Sequence, residues 1–272
     1  MTLPEAINRD FYAKELEISQ NTREILERYS KIAPEKVVPH CFAIREKAWA
    51  VWQYPCIGSF RFLDLSVSYL PAYDEVINRL KTKNNVLLDL GCCFGQDLRR
   101  LVYDGAPSEN LYGSDLRLDF MNMGYDLFLD KETLKSKFIA ADVFDENSDL
   151  KHLDGRVDII VTSAFFHLFD RSRQKTIAHR ILKLFRPQKD ALLIGRQGGS
   201  ETPGERERVR ESGTSFHHNP ESWQRFWDEI GAETGTKWQA QAVWDNGTVT
   251  TKAASQTFAD RRWLLFAVRR IE

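Results

Sequence analysis

The 272-residue chain has little of what marks secreted, membrane or nucleic-acid-binding proteins. It has four cysteines, none in a C-x-x-C pair, so we interpret them as reduced thiols rather than as a disulfide framework or a metal site. No apolar run reaches the ~18 residues of a membrane span, and the first residues lack the basic and apolar regions of a secretory signal. The net charge of -1 predicts no general attraction to nucleic acid or anionic membranes. These absences predict a cytoplasmic protein with no metal, nucleic-acid or membrane partner.

Strand-like apolar runs alternate with helical patterns from about residue 84 onward. Such alternation is typical of an α/β protein whose parallel sheet is covered by helices. Two further runs near the C-terminus, separated by Asp245-Asn246-Gly247, are typical of an antiparallel pair that closes the sheet. The sequence therefore predicts strands at 86–90, 110–114, 138–141, 157–163, 191–195, 238–244 and 263–268.

Two helices of this region have clear boundary residues. Asp170 can cap a helix with one apolar face, and Pro187 cannot continue it. Asn219 and Pro220 begin a second, aromatic-rich helix that we expect to stop before Gly231.

The N-terminal region is helical in pattern and rich in aromatic side chains. The pattern predicts helices over 7–29 and 43–52, with Pro34 and Pro39 as breaks between them. Such helices can pack on the sheet and also close over a ligand. We therefore expect a helical cap, 1–80, and a sheet domain, 81–272.

The most informative stretch runs from Val86 to Gly95 and has the pattern of a buried strand, an acidic residue and a glycine turn into a helix. This order is typical of nucleotide-binding folds. A dinucleotide fingerprint needs three glycines, whereas only Gly91 and Gly95 occur here. Asp89 would repel a pyrophosphate but would suit an ammonium group. A ligand that combines adenosine with an amino acid, S-adenosylmethionine, fits both observations, and a nicotinamide cofactor does not.

Seven strands in this order, with an acid at or near the end of each of the first three, resemble the class I S-adenosylmethionine-dependent methyltransferases. The resemblance implies a seven-stranded, mostly parallel Rossmann-like sheet with helices on both faces. It also implies that Asp89 and the glycine loop hold the methionine half of the cofactor. Asp115 would then accept hydrogen bonds from the ribose, and Asp142 from the adenine amino group. The predicted cofactor contacts are Tyr12, Asp89, Gly91, Cys92, Cys93, Gly95, Asp115, Leu116, Asp142, Val143 and Ser163.

Cys93 departs from the pattern of that superfamily, whose loop usually reads G-x-G-x-G with a glycine at this position. A small side chain that points away from the methionine carboxylate can be tolerated there. A redox role finds no base or partner thiol in the sequence. We therefore interpret Cys93 as a tolerated small residue.

The methyl acceptor should bind beyond the carboxyl ends of the fourth and fifth strands. His167 follows the fourth strand and is a candidate base or orienting group, although it could equally be a packing residue. Arg196 follows the fifth predicted strand and could bind an acceptor carboxylate in bidentate fashion, with a surface ion pair as the alternative. His217 lies in the long connection that follows and is the third catalytic candidate.

Several segments resemble one narrower group, the fungal methyltransferases of meroterpenoid and related secondary-metabolite pathways. This resemblance covers nearly the whole chain, and the double cysteine belongs to it. It implies a large, apolar acceptor methylated at a carboxyl group, and a homodimer. The matching segments are Arg28-Tyr29-Ser30 with Pro34-Glu35, Ile44-Arg45-Glu46-Lys47-Ala48-Trp49, Tyr54-Pro55-Cys56-Ile57-Gly58 and Asp89-Leu90-Gly91-Cys92-Cys93-Phe94-Gly95-Gln96-Asp97.

Two alternatives stay open at this point. In the first, transfer goes to a phenol oxygen or to carbon, with His167 or His217 as the base. In the second, the chain binds the cofactor as a catalytically silent regulatory protein.

Overall fold

The computed structural model describes residues 11–208, 212–247 and 261–272. Helices dominate the N-terminal part, and 3-10 turns at Arg61–Leu63 and Ser66–Tyr69 join its last two helices. These helices are α1 (Gln20–Glu24, continued by a π-helical turn at Ile25–Tyr29), α2 (Pro34–Val51), α3 (Pro55–Gly58) and α4 (Tyr73–Lys83). The elements that follow are β1 (Leu87–Leu90), α5 (Gln96–Tyr103), β2 (Leu111–Asp115), α6 (Leu118–Phe128), β3 (Lys137–Ala140), β4 (Ile159–Ser163), α7 (Arg171–Leu184), β5 (Leu192–Ser200), β6 (Gly204–Glu207), β7 (Thr214–His217), α8 (Pro220–Thr234), β8 (Trp238–Trp244) and β9 (Arg261–Arg270).

The main sheet has seven strands in the order β3-β2-β1-β4-β5-β9-β8. The first five strands of the chain pair in parallel, and β9 runs antiparallel between β5 and β8. This arrangement confirms the predicted Rossmann-like methyltransferase sheet. Strand β5 is longer than predicted, because its ladder with β9 continues through Ser200 and satisfies its backbone groups.

The two helices predicted from their caps lie where expected. Asp170 accepts a hydrogen bond from the Arg173 amide at 2.8 Å at the start of α7. Asn219 begins α8 with a reciprocal capping box. The predicted stop at Gly231 is wrong, since α8 continues to Gly235, which ends it in the left-handed region at φ +65°. Gly231 instead allows the Thr236 carbonyl to approach, where a Cβ would lie 2.6 Å from its oxygen.

Two predictions about the N-terminal helices are wrong. The segment 11–19 is not helical, and α1 begins only after Ser19, whose hydroxyl accepts from the Thr22 amide at 3.1 Å. Residues 7–10 lie outside the described residues. Helix α2 begins at Pro34 and passes through Pro39 rather than breaking there. Pro34 occupies the first turn, where no amide partner is needed, and Pro39 deprives one first-turn carbonyl of its donor.

Three apolar clusters surround the sheet. One fills the space between the sheet and α7 and α8, and a second lies between the opposite face and α4 and α5. The third joins the N-terminal helices to Phe94 and to α6 through Phe120, Leu127 and Phe128. The division of the chain at residue 80 stays a prediction. Within the described residues, no helix is long and apolar enough to cross a membrane.

Candidate active site

The loop between β1 and α5 is held against the end of β2. The amides of Gly91 and Cys92 both donate to the Ser114 carbonyl, at 2.8 and 3.0 Å. The Cys93 amide donates to the Asp115 carboxylate at 2.9 Å. These bonds turn the loop across the carboxyl ends of two parallel strands, where ligands of such sheets bind.

Three positions of this loop, Gly91, Cys93 and Gly95, adopt the left-handed conformation that favours glycine. Gly91 has φ +83°, and a Cβ there would lie 2.7 Å from the Phe165 ring that covers it. Cys93 has φ +52° and is half-buried against the apolar cluster of the N-terminal helices. A cysteine in this conformation is strained relative to glycine, and its packing against that cluster offsets the strain.

Asp89 lies in β1, two residues before Gly91, and is 2% exposed. Among the described residues, no side-chain or backbone group donates a hydrogen bond to its carboxyl group. Burial raises the pKa of Asp89 well above its usual range, and the nearby Asp97 and Asp115 raise it further. A buried acid in this environment is stabilised by a ligand that brings a positive charge.

Asp115 ends β2 and already holds two backbone amides. Its Oδ2 accepts from Cys93 at 2.9 Å and its Oδ1 from Arg117 at 3.0 Å. Burial raises the pKa of its carboxyl group, while these backbone hydrogen bonds oppose the rise. Each carboxylate oxygen has a second lone pair, so Asp115 can also accept from ribose hydroxyls.

The other predicted cofactor contacts lie in different surroundings. Asp142 is exposed after β3, and its carboxylate accepts from the Phe144 amide at 2.9 Å, while Val143 is buried. Leu116 follows Asp115 and is 62% exposed. The Tyr12 hydroxyl donates to the Glu46 carboxylate on α2, so its partners lie in the cap.

Asp97, in the first turn of α5, connects three elements. Its carboxylate accepts from the Val67 amide at 3.0 Å, the Ser66 hydroxyl at 3.2 Å and the Ser163 hydroxyl at 3.3 Å. Burial raises the pKa of Asp97 to about 6, although these bonds and Arg196 act in the opposite direction. Asp97 therefore ties the cap to the ends of β1 and β4.

Arg196 lies inside β5 rather than after it, in register with Ser163 of β4. Its guanidinium is buried, 3.1 Å from the Asp64 carboxylate and 4.7 Å above the Trp263 ring. Arg61 lies 3.8 Å from the same carboxylate and 4.4 Å above the same ring. Arg61 of the N-terminal region and Arg196 of β5 thus lie around one carboxylate at the carboxyl end of the sheet.

His167 accepts a hydrogen bond at Nδ1 from the Gly198 amide, at 3.1 Å. A neutral imidazole that accepts at Nδ1 carries its proton on Nε2, so His167 in this arrangement is a donor at Nε2 rather than a base. Its ring lies 5.7 Å from Trp263 and 6.2 Å from His217. His217 lies 3.2 Å from the Ser215 hydroxyl. The structure therefore brings His167, His217 and Trp263 together beside Arg196.

His218 lies near these histidines in the sequence but has a packing role. It is buried between Ser222 and Gln174, each 2.9 Å from one ring nitrogen. Burial lowers the pKa of His218 to about 3, so the ring stays neutral and acts in packing. No group of three metal-ligating side chains occurs in the part of the chain that the structure describes.

Sequence reasoning missed Asp64, Asp97, Arg61 and Trp263. Asp97 directly follows the glycine loop, but an acid in the first turn of a helix is common because it interacts favourably with the helix dipole, so its position alone did not indicate a site. The other three lie in segments with no motif, and only the fold assembles them.

The chain is similar in sequence and in fold to known methyltransferases. Residues 11–63 match the family described as the meroterpenoid methyltransferase N-terminal domain. The O-methyltransferase phiE of Fungal sp. (strain ATCC 74256) is 46% identical over 239 residues, covering 86% of this chain and 80% of phiE. The asnovolin E/chermesin D methyltransferase nvfJ of Aspergillus novofumigatus is 44% identical over 221 residues, covering 81% of this chain and 79% of nvfJ. The solved methyltransferase domain of bacterial CtHen1 has the same fold, with a TM-score of 0.50 at 15% identity, over 73% of this chain and 96% of that domain.

Proposed function

This chain belongs to the fungal secondary-metabolite methyltransferases, and on that premise we propose that it transfers a methyl group from S-adenosylmethionine to a carboxyl group of a polyketide or terpenoid metabolite, giving a methyl ester. The cofactor supplies the activated methyl group. The protein binds and orients the two reactants, which is most of what an in-line methyl transfer requires.

Asp89 is the main support for the proposed binding of S-adenosylmethionine. It is a buried carboxyl group without a hydrogen-bond donor among the described residues. The ammonium group of the methionine moiety would neutralise it and donate to it. Asp115, fixed by two backbone amides, would accept from the ribose. Asp142 and Val143 stay candidates for the adenine.

The cations beside the acceptor end support a carboxylate acceptor. Arg61 and Arg196 both approach the Asp64 carboxylate, and guanidinium groups of this kind are well suited to bind a second carboxylate. A carboxylate is ionised at neutral pH and needs no base to remove a proton. That requirement agrees with His167, whose Nδ1 lone pair already accepts from the Gly198 amide.

A phenol or carbon acceptor is the alternative enzyme function, and it requires His167 or His217 to act as a base. Product chemistry separates the two. The enzyme is incubated with radiolabelled S-adenosylmethionine and candidate acids that also carry a phenol, and the labelled product is treated with alkali. We expect alkali to release the label as methanol, because an ester is hydrolysed. A label that survives as an aryl ether, or on carbon, would refute ester formation.

Three remaining expectations belong to the same proposal. The catalytically silent alternative fails if any labelled product forms. We propose a homodimer, by analogy with the family, and light scattering on the purified protein would test it. We also propose a cytoplasmic location, which fluorescence of a tagged chain in a fungal host would test.

A further inference from the structure

Two buried carboxyl groups, those of Asp89 and Asp97, interact at the carboxyl end of the sheet. Asp89 of β1 is in register with Val161 of the neighbouring parallel strand β4. Ser163 lies two residues further along β4 on the same face, and its hydroxyl donates to Asp97 at 3.3 Å. Asp89 is 2% exposed and Asp97 is 1% exposed. The two carboxyl groups therefore share one buried space at the carboxyl end of the sheet.

Among the described residues, few positive charges act on the pair. Asp97 has three hydrogen-bond donors, and Arg196, a cation that lowers the pKa of Asp97, is bound to Asp64. The ionisable groups that face Asp89 are Asp97, Asp115 and the thiols of Cys92 and Cys93. Two adjacent carboxylates in such a space cannot both ionise at low cost.

We propose that the ligand-free protein holds one proton on the Asp89–Asp97 pair, and that the ammonium group of the cofactor expels this proton to solvent when it binds. The exchange balances, since a carboxylic acid becomes a carboxylate paired with an ammonium ion and one hydrated proton is released. Asp97 is then a positioning residue that sets the charge of Asp89 and holds the cap through Ser66 and Val67. The raised pKa of both groups agrees with this exchange. The inference rests on the proposed binding of S-adenosylmethionine.

Calorimetry of S-adenosylhomocysteine binding tests the exchange, because this product keeps the amino acid moiety. The titration is run at pH 6 in two buffers of different ionisation enthalpy, which reports the number of protons released. We expect about 0.5 to 1 proton at pH 6, falling toward zero as the pH approaches 8. The Kd should rise by up to about tenfold for each pH unit below pH 6. Methylthioadenosine, which lacks the amino acid moiety, should bind with no proton release and a flat pH profile.

The variant Asp97→Asn removes one charge of the pair, so Asp89 should ionise at lower pH and proton release at pH 6 should fall below about half the wild-type value. The matched control is Asp228→Asn, an exposed acid on α8, which should release as many protons as the wild type. Infrared difference spectra of the wild type should lose the carbonyl band of a protonated carboxyl group when S-adenosylhomocysteine binds. The wild-type measurements stand even if Asp97→Asn does not fold.

The proposal fails if wild-type protein binds S-adenosylhomocysteine at pH 6 without releasing a proton, or if folded Asp97→Asn releases as many as the wild type. If S-adenosylhomocysteine does not bind at any pH, the proposed function itself fails.

Discussion

Asp89→Asn should make the ligand-free protein more stable and its cofactor binding weaker. The carboxyl group is buried, has no donor among the described residues and faces two other acids. A neutral amide of the same shape removes the cost of that uncompensated charge, which is about 1–3 kcal/mol. For a protein of this size, each kcal/mol corresponds to a rise in Tm of roughly 2–4 °C. Loss of the charge-assisted bond to the ammonium group should raise the Kd of S-adenosylhomocysteine by about 10- to 150-fold.

The pH dependence of this stabilisation has a definite sign. The folded-state pKa of Asp89 is raised, so between the unfolded pKa of ~3.9 and the folded pKa the native state binds more protons than the unfolded state. Wild-type stability therefore falls as the pH rises through this window, whereas the asparagine variant lacks that loss. The difference in Tm between variant and wild type should be larger at pH 8 than at pH 5.

Asp158→Asn is the matched control, since Asp158 is also a buried acid but lies at the opposite end of the strands. Its carboxylate accepts from the Val86 amide at 2.8 Å and lies 3.1 Å from Arg186. The same substitution there should lower Tm and leave the Kd unchanged. Thermal unfolding and calorimetry measure both quantities. A lower Tm for Asp89→Asn together with an unchanged Kd would refute the assignment of Asp89 to the ammonium group.

Three further predictions concern neighbouring positions. Asp115→Ala should raise the Kd of S-adenosylhomocysteine by roughly tenfold or more, because charge-assisted bonds to the ribose are lost; an equal Kd in calorimetry would contradict that role. Cys93→Gly should keep the free energy of unfolding within about 1 kcal/mol of the wild-type value, whereas Cys93→Val should lower it by more than about 2 kcal/mol, because a β-branched residue resists φ +52°. A denaturant titration in which the valine variant is more stable than the glycine variant would refute this explanation. Arg61→Gln should raise the acceptor KM by about tenfold with little change in cofactor Kd, since one carboxylate-binding cation is lost. Arg225→Gln, at an exposed position on α8, serves as the control. An unchanged KM for Arg61→Gln would exclude Arg61 from acceptor binding.

Local patterns were sufficient to predict the sheet and the position of the glycine loop between β1 and α5. The strands appeared as short apolar runs, and Asp89, Gly91 and Gly95 lie within one contiguous segment. Asp115 followed from a general property of parallel sheets, whose strands present their carboxyl ends at one edge. The helix caps at Asp170 and Asn219 could also be predicted from the sequence, because capping depends on the next three residues alone.

Predictions from local sequence patterns were wrong where contacts with other segments determine the bounds of a helix or strand. Strand β5 continues past Gly195 because β9, some seventy residues later, pairs with it. Helix α2 passes through Pro39 because the buried face of the helix outweighs one missing hydrogen bond. Gly231 lies within α8 because a carbonyl from the next turn approaches it.

The sequence by itself determined the fold class and the family, and it predicted the segment proposed to hold the cofactor, since each depends on periodicity or on residues close together in the chain. Only the tertiary structure placed Asp97 beside Asp89, and Arg61, Asp64 and Trp263 around Arg196. These groups come from the cap, α5, β5 and β9, and their charges interact over a few ångströms of buried space. Coulomb energy and desolvation depend on that separation and burial, and neither can be read from spacing along the chain.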